Sequence, residues 1–159
     1  MAEEFTFALI KSHIATDHPA LVEAVLTRIV RSGLAIRQLC YVTPTSPQIH
    51  ILYREHAEKP YFPALADSVS RRTVAIVLSG ENAILRWREM LGATNPANAA
   101  PDTLRANFGD HKKLVDNVAH GSDSENAARR EIAIFFPDFP LEAYWPRAHV
   151  QAVRSDDRA

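Results

Sequence analysis

The sequence predicts one α/β or α+β domain in which helices pack on one face of a small sheet. Three observations predict this fold class. Short β-rich runs alternate with segments of helical periodicity along the chain. A continuous apolar run at residues 74–78 has the composition of a strand buried on both faces. A chain of 159 residues that is 47% hydrophobic and 23% charged is also long enough to form a single core.

The first predicted elements are a strand and the clearest helix of the chain. Residues 6–10, read as Thr-Phe-Ala-Leu-Ile, predict a strand that ends at a lone cation, Lys11. Residues 20–30 repeat apolar side chains at helical spacing, and Gly33 follows at the position of a C-terminal cap. The strand therefore delivers a positive charge to its C-terminal end.

A second strand and two short helices are predicted before the apolar run. Residues 34–42 alternate apolar and polar side chains, which is typical of a strand, and Pro44 and Pro47 then break the chain. Residues 49–56 and 64–69 predict short helices separated by a proline-containing loop.

The apolar run at residues 74–78 predicts the central strand of the sheet. Residues 81–91 then predict a helix that Gly92 ends. Three of its side chains are available for packing: Ile84, Leu85 and Trp87.

The last predicted elements follow a long irregular segment. Residues 92–116 show no sustained period but contain spaced apolar and charged residues, so we expect an ordered, functional loop. Residues 118–120 predict a short strand, and Ser124 predicts the N-cap of a helix to residue 136. Beyond it lies a tail rich in proline and aromatic residues, whose last eight residues are polar and predicted to fray.

Composition and charge exclude several classes of function. Eighteen basic and nineteen acidic side chains give a formal charge of −1, which argues against binding to nucleic acid or to an acidic membrane surface. No apolar run has the roughly 20 residues that span a bilayer, and the acidic start is unlike a secretory or transit segment, so we expect a soluble cytosolic protein. Cys40 is the single cysteine and is predicted to be a buried small hydrophobe; the lack of an intrachain disulfide agrees with a reducing compartment.

The seven histidines differ in context, and one of them stands out. None has the spacing of a zinc site, so protein-bound zinc is not predicted. Three are predicted to be surface residues: His18, His111 and His149. Three others lie near segments that could line a site: His13, His50 and His56.

His120 ends a short apolar strand at the point where a helix begins. Gly121 beside it predicts room for a bulky ligand, and the hydroxyls of Ser122 and Ser124, with the N–H groups of the helix start, suit phosphate oxygens. A neutral imidazole attacks phosphorus when a carboxylate orients its other nitrogen, and Glu131 is placed to do so. These residues indicate a site that handles phosphate.

Residues 117–124, read as Asn-Val-Ala-His-Gly-Ser-Asp-Ser, resemble the active-site signature of nucleoside diphosphate kinases. Other blocks resemble the family in the same order, and the resemblance covers about residues 5–136. These blocks lie at residues 6–11, 53–56, 59–63, 88–96 and 101–105.

The resemblance implies an α+β fold, a ferredoxin-like sandwich with a four-stranded antiparallel sheet covered by helices. It implies a kinase domain at residues 1–140 and a C-terminal extension at 141–159. The implied activity is ping-pong transfer of the γ-phosphate from a nucleoside triphosphate to a diphosphate through phosphohistidine. Mg²⁺ would arrive with the nucleotide, and the chain would form a homo-oligomer (hexamer, tetramer or dimer). The implied location is cytoplasmic, with mitochondria as the alternative.

The resemblance also implies roles for individual residues. His120 would be the nucleophile, oriented by Glu131, with Tyr53 beside it. The residues that contact the nucleotide would be Lys11 and Asn117 at the ribose and phosphates, Arg88, Thr94 and Arg105 at the phosphates, and Tyr61 at the base.

The chain departs from the family pattern at several positions. Ser12 and His13 follow the lysine where the family has Pro-Asp, so a carboxylate that helps fix the site is expected to be missing. Ala106 and Asn107 replace Gly-Asp, and residues 109–116 form a longer segment, so the loop that carries the arginine is expected to sit differently. Leu52 stands where a histidine is common.

Residues 130–140 also resemble the divergent type-6 branch of the family, although the branch's typical insertion is absent. The departures at His13, Ala106, Asn107 and the longer segment motivate the alternative function, a catalytically weak member that acts as a nucleotide-binding regulatory subunit.

Overall fold

A computed structural model describes residues 2–148 of the chain. Its four strands are β1 (Glu4–Ile10), β2 (Ala35–Val42), β3 (Thr73–Gly80) and β4 (Ala119–Gly121). They form one antiparallel sheet in the order β2-β3-β1-β4. The short strand β4 pairs with β1 alone and places Leu9 opposite His120. The predicted antiparallel, four-stranded α+β fold is confirmed.

Eight helices connect and cover the strands within residues 2–148. They are α1 (Ser12–Ala15), α2 (Ala20–Arg31), α3 (Ser46–Leu52), α4 (Phe62–Asp67), α5 (Ala83–Leu91), α6 (Leu104–Phe108), α7 (Glu125–Phe135) and α8 (Leu141–Tyr144). Single 3-10 turns lie at Arg54–His56 and Pro96–Asn98. Among the described helices, none combines the length and the apolarity needed to cross a bilayer.

Helices pack on both faces of the sheet, so the expectation of helices on one face is wrong. Alternate residues of β1 point to opposite faces, and every residue from Phe5 to Ile10 is buried. On one face, Ala8 and Ile10 pack with α2 and α5. On the other, Phe5, Phe7 and Leu9 pack with α3 and α7. A strand that is apolar at consecutive positions has two faces to cover, and the two helix layers cover them.

Helix α3 begins earlier than the sequence predicted. The Thr45 hydroxyl accepts from the Gln48 N–H, and the Gln48 side chain accepts from the Thr45 N–H, which is a complete capping box. Pro47 lies in the first turn, where the missing N–H costs nothing, so it starts the helix instead of breaking the chain. The helix ends at Leu52, and a separate 3-10 turn follows.

The predicted helix ends at glycines are confirmed, and two burial predictions are wrong. Gly33 and Gly92 have φ angles of 89° and 87°, which residues with a side chain rarely adopt. In α5, Trp87 is fully buried as predicted, whereas Leu85 is 58% exposed because it lies on the solvent side of the helix. Cys40 is only partly buried, since β2 is an edge strand.

The segment after α7 packs against Phe5 of β1 and is held by Arg129. The guanidinium of Arg129 lies 4.0 Å from the centre of the Trp145 ring and donates to the Trp145 carbonyl at 2.8 Å. It also binds the Glu125 carboxylate at 2.9 Å. The division between domain and extension at residue 140 stays a prediction. His149 and the predicted frayed end lie outside the described residues.

We expect Arg129→Ala to lower the free energy of unfolding by about 2 to 3 kcal/mol. The substitution removes the buried guanidinium, and with it a charge-assisted hydrogen bond and the stacking on Trp145. Urea denaturation measures the change. Arg147→Ala is the matched control, since Arg147 pairs with Glu142 but is 70% exposed, and its loss is expected to cost less than about 0.5 kcal/mol. Equal effects of the two substitutions would contradict the clamp.

Candidate active site

Strands β1 and β4 bring the predicted lysine and histidine to one end of the sheet. Lys11 follows the last residue of β1, and its backbone N–H donates to the Val118 carbonyl at 2.8 Å. His120 lies on β4, and its ring packs 6.2 Å from that of Phe7, centre to centre. Antiparallel pairing of two segments that are far apart in sequence therefore assembles the site.

A cleft of about 810 Å³ opens at this end of the sheet. All nine predicted site residues line it: Lys11, Tyr53, Tyr61, Arg88, Thr94, Arg105, Asn117, His120 and Glu131. The cleft is large enough for a small organic ligand.

The imidazole of His120 is held by a buried carboxylate. Its Nε2 contacts Oε1 of Glu131, whose side chain is 1% exposed. An ionised carboxylate only accepts, so the neutral imidazole carries its proton on Nε2 and keeps the lone pair of Nδ1 available. The Tyr53 ring stands at 86° to the imidazole with 5.6 Å between centres. The Trp87 indole N–H donates to the His120 carbonyl at 3.2 Å and fixes the backbone.

Three residues after His120 have structural functions; for Ser122 and Ser124 this corrects the interpretation that their hydroxyls suit a phosphate, whereas Gly121 also lines the cleft. A Cβ on Gly121 would meet the Trp87 ring at 2.8 Å, so packing against that indole requires the glycine. The Ser122 hydroxyl is fully buried and bonds the backbone of Phe7. The Ser124 hydroxyl caps α7 by accepting from the Ala127 N–H at 3.1 Å. Neither hydroxyl lines the cleft.

Lys11 is buried at the floor of the cleft. The residue is 2% exposed, and its Nζ donates to the Val115 carbonyl at 2.8 Å. Burial is the main reason that the pKa of Lys11 falls to about 7; Arg105 lowers it further, and Asp116 opposes the shift. With so low a pKa the free Lys11 amine is partly neutral at neutral pH, and an anion that enters the cleft favours its protonated form.

Arg105 has a structural function in addition to its place in the cleft. Nε and Nη2 donate at 2.9 Å to the carbonyls of Asn117 and Ala119, and Nη1 donates at 3.0 Å to that of Gly92. Three of the five N–H groups of the guanidinium are thus used, and two remain for a ligand. Burial, aided by Arg88, lowers the pKa of Arg105 to about 10.

Several buried polar atoms of the cleft have no hydrogen-bond partner within residues 2–148. They include the Tyr53 hydroxyl, Oδ1 of Asn117 and Oε2 of Glu131. Burial, followed by the charge of Glu131, raises the pKa of Tyr53, so its hydroxyl stays protonated. Buried polar groups are normally hydrogen-bonded, and unpaired ones that share a cleft indicate a polar ligand or water. Nδ2 of Asn117 is already bound, donating at 2.9 Å to the Thr94 carbonyl.

Two half-exposed apolar side chains stand at the cleft walls. Tyr61 is 47% exposed, and its hydroxyl lies 2.6 Å from Nδ1 of His56, which also lines the cleft. Leu114 is 48% exposed on the segment between α6 and β4. Sequence reasoning missed Leu114; the signal was an apolar residue in the polar run 109–116. Arg88 is exposed in the last turn of α5.

The remaining histidines have other environments. His50 lies outside the cleft and packs 5.2 Å from the Phe62 ring, centre to centre. His18 and His111 are exposed, as predicted. Nε2 of His13 accepts from the Val118 N–H at 2.9 Å. Across residues 2–148, no group of three or more His, Cys, Asp or Glu side chains could hold a metal ion.

An antiparallel α+β sandwich with an oriented histidine in a cation-lined cleft defines a phosphotransferase. The family model for nucleoside diphosphate kinases matches residues 4–141. A curated nucleoside diphosphate kinase from Deinococcus radiodurans is 45% identical over 142 residues, which are 87% of this chain and 98% of the relative.

Solved structures agree with the sequence comparison. The nucleoside diphosphate kinase of Aquifex aeolicus has a TM-score of 0.78 and 34% identity, with 85% of this chain and 96% of the other covered. A halophilic enzyme of the same name from Halobacterium salinarum, solved in complex with CDP, has a TM-score of 0.79 and 33% identity, with 86% and 89% covered.

The chain therefore belongs to the nucleoside diphosphate kinase family. It is an enzyme that transfers phosphate between nucleoside triphosphates and diphosphates. The alternative of a catalytically weak regulatory subunit is not favoured by these comparisons.

Proposed function

We propose that this kinase works by a ping-pong mechanism in which Nδ1 of His120 carries the phosphate. The contact between Nε2 and Glu131 carries the proposal, because it leaves Nδ1 as the nucleophilic nitrogen in a cleft lined by cations. A buried carboxylate beside the imidazole also stabilises the positive charge that the ring gains when Nδ1 is phosphorylated.

In the first half-reaction, the lone pair of Nδ1 forms a bond to the γ-phosphorus of the triphosphate. The bond from that phosphorus to the oxygen shared with the β-phosphate breaks, and the diphosphate leaves with the electron pair. The Nε2 proton stays between His120 and Glu131. In the second half-reaction, a terminal oxygen of the incoming diphosphate attacks the phosphorus, and the N–P electron pair returns to Nδ1.

The cations and polar groups of the cleft hold the phosphates in this scheme. Phosphoryl transfer depends mainly on positioning and on neutralising the transferring oxygens. Lys11 is buried and Arg105 is partly buried in the cleft that His120 lines, and their reduced hydration strengthens an ion pair with phosphate. The other contacts are proposed for Arg88 and Thr94 at the phosphates and Asn117 at the ribose and phosphates.

Tyr61 is proposed to stack on the base, with Leu114 as a second apolar wall. Both side chains are about half exposed and line the same cleft. Stacking on apolar surfaces discriminates poorly between bases, because every base has a π face. Broad nucleotide use is therefore expected.

Mg²⁺ is proposed to enter on the phosphates of the nucleotide. Mg²⁺ keeps several waters and needs one or two carboxylates at most in such sites. The cleft fits that mode, since residues 2–148 hold no carboxylate cluster for a metal, while Asp123 lines the cleft with an exposed carboxylate. The metal would neutralise charge on the phosphates.

A homo-oligomer (hexamer, tetramer or dimer) is proposed for this chain. A cytoplasmic location is proposed separately, with mitochondria as the alternative. Strand β2 supports assembly, since it pairs only with β3 among the described strands and carries Tyr41, which is 47% exposed. Sedimentation velocity decides the first point: a monomer at micromolar concentration would overturn it. The unpaired Cys40 agrees with a reducing compartment.

The mechanism is tested by labelling the enzyme with γ-labelled ATP and chasing with GDP. We expect acid-labile label on the wild-type chain that leaves quantitatively as GTP. His18→Ala is the matched control, because His18 is exposed and outside the cleft, and it should label normally. Transfer from ATP to GDP without any labelled chain would replace the ping-pong mechanism with direct transfer.

A further inference from the structure

Val118 has a backbone conformation that β-branched residues rarely adopt. Its φ angle is 78°, and the Ala119 N–H donates to the Asn117 carbonyl at 3.0 Å, which closes a γ-turn around Val118. A γ-turn with positive φ is strained, and a β-branched residue makes it more so. The turn directly precedes β4, so its geometry determines where His120 stands.

Both backbone polar groups of Val118 are held by the segment after β1. Its N–H donates to Nε2 of His13 at 2.9 Å, and its carbonyl accepts from the Lys11 N–H at 2.8 Å. Val118 is 0% exposed, so water does not replace a lost partner without an opening of the structure. The bond to His13 therefore supports a strained turn that would otherwise relax.

We propose that His13 is a positioning residue for phosphate transfer: its neutral imidazole holds the γ-turn at Val118 and thereby fixes His120, and protonation of His13 releases the turn. The proposal rests on the function proposed for His120. The carboxylate that the family pattern has after the lysine is absent, and the His13 imidazole provides a hydrogen-bond acceptor in that segment.

The protonation state decides whether the bond exists. Nε2 accepts only while it is unprotonated; as an imidazolium nitrogen it would face the Val118 N–H as a second donor. Burial is the largest influence and lowers the pKa of His13 below its ordinary 6.5. The charged groups that act on it are Asp116 and Asp110, which raise the pKa, and Lys11 and His18, which lower it. The acceptor is therefore intact at neutral pH and is lost in acid.

The experiment compares the wild type with His13→Gln and His13→Leu. Gln places an uncharged amide oxygen at about the reach of Nε2, whereas Leu removes the acceptor. We expect His13→Leu to lower kcat by about 10- to 100-fold with less than about a threefold change in KM. We expect His13→Gln to keep most of the kcat and to lose the part of the acid decline in kcat that His13 causes.

Hydrogen exchange of the Val118 amide gives a readout that does not depend on catalysis. We expect protection in the wild type at pH 7.5 that weakens in acid, protection at both pH values in His13→Gln, and none in His13→Leu. A full kcat and a protected amide in His13→Leu would overturn the positioning role. Superimposable pH profiles of the wild type and His13→Gln would overturn the proton switch. If the label chase failed while amide exchange behaved as described, the proposed mechanism would fall but the turn contact would stand.

Discussion

His120→Ala is expected to reduce turnover by a factor on the order of 10⁴ or more and to abolish labelling of the chain by γ-labelled ATP. The substitution removes the proposed nucleophile, and removal of a nucleophile is among the most damaging changes an enzyme undergoes. Nucleotide affinity should change by less than about threefold, because the cations and the stacking side chains stay in place. Steady-state kinetics and equilibrium binding of ADP measure the two effects.

His120→Gln separates the loss of turnover from any loss of stability. Alanine would leave the carboxylate of Glu131 buried without its partner, which costs stability. The glutamine amide can donate to Glu131 but cannot carry phosphate in exchangeable form, so it should fold normally and be as inactive as alanine. Substantial turnover in a well-folded His120→Gln protein would show that another group accepts the phosphate.

Lys11→Met is expected to lower kcat/KM by about 10² to 10³, since it removes one charge from beside the transferring phosphate. Methionine fills the buried site of the lysine stem without a charge, so the fold should persist. The pKa of about 7 adds a pH effect. Above pH 7 the free enzyme holds Lys11 neutral, whereas bound phosphate favours the ammonium form, so binding must take up a proton and affinity falls as pH rises.

Calorimetry of ADP binding in buffers of different ionisation enthalpy measures that proton. The wild type should take up nearly one proton per bound ADP at pH 8.5 and almost none at pH 6, where Lys11 is already charged. Lys11→Met should take up none at pH 8.5. The matched control is Lys112→Met, because Lys112 is exposed and does not line the cleft, and it should behave as the wild type. Equal proton uptake by wild type and Lys11→Met would show that another group titrates.

The candidate site was predictable to different extents at different residues. The nine predicted residues line one cleft, and eight of them lie in segments that resemble family motifs, whereas Glu131 was assigned from its position on the helix after His120. The positions of Leu114 and His13 in the site were not predicted from the sequence, because these depend on contacts between segments that are far apart along the chain. The Ser122 and Ser124 hydroxyls were assigned to a ligand because a hydroxyl beside a helix start suits phosphate and backbone equally well.

The sequence by itself determined the local structure and the chemical repertoire of this protein. Periodicity placed the helices and strands, glycines placed helix ends at Gly33 and Gly92, and the context of His120 indicated phosphate chemistry. These features depend on neighbours within a few residues, which a linear pattern records.

Only the tertiary structure decided which faces are covered and what each site group bonds. Pairing of β1 with β4 sets Lys11, His13 and Val118 side by side across more than a hundred positions. Burial in that assembly lowers the pKa of Lys11 and leaves His13 as a neutral acceptor. The lowered pKa of Lys11 and the neutral His13 acceptor follow from desolvation and from hydrogen bonding between distant segments. Neither the desolvation nor these hydrogen bonds are present before the chain folds.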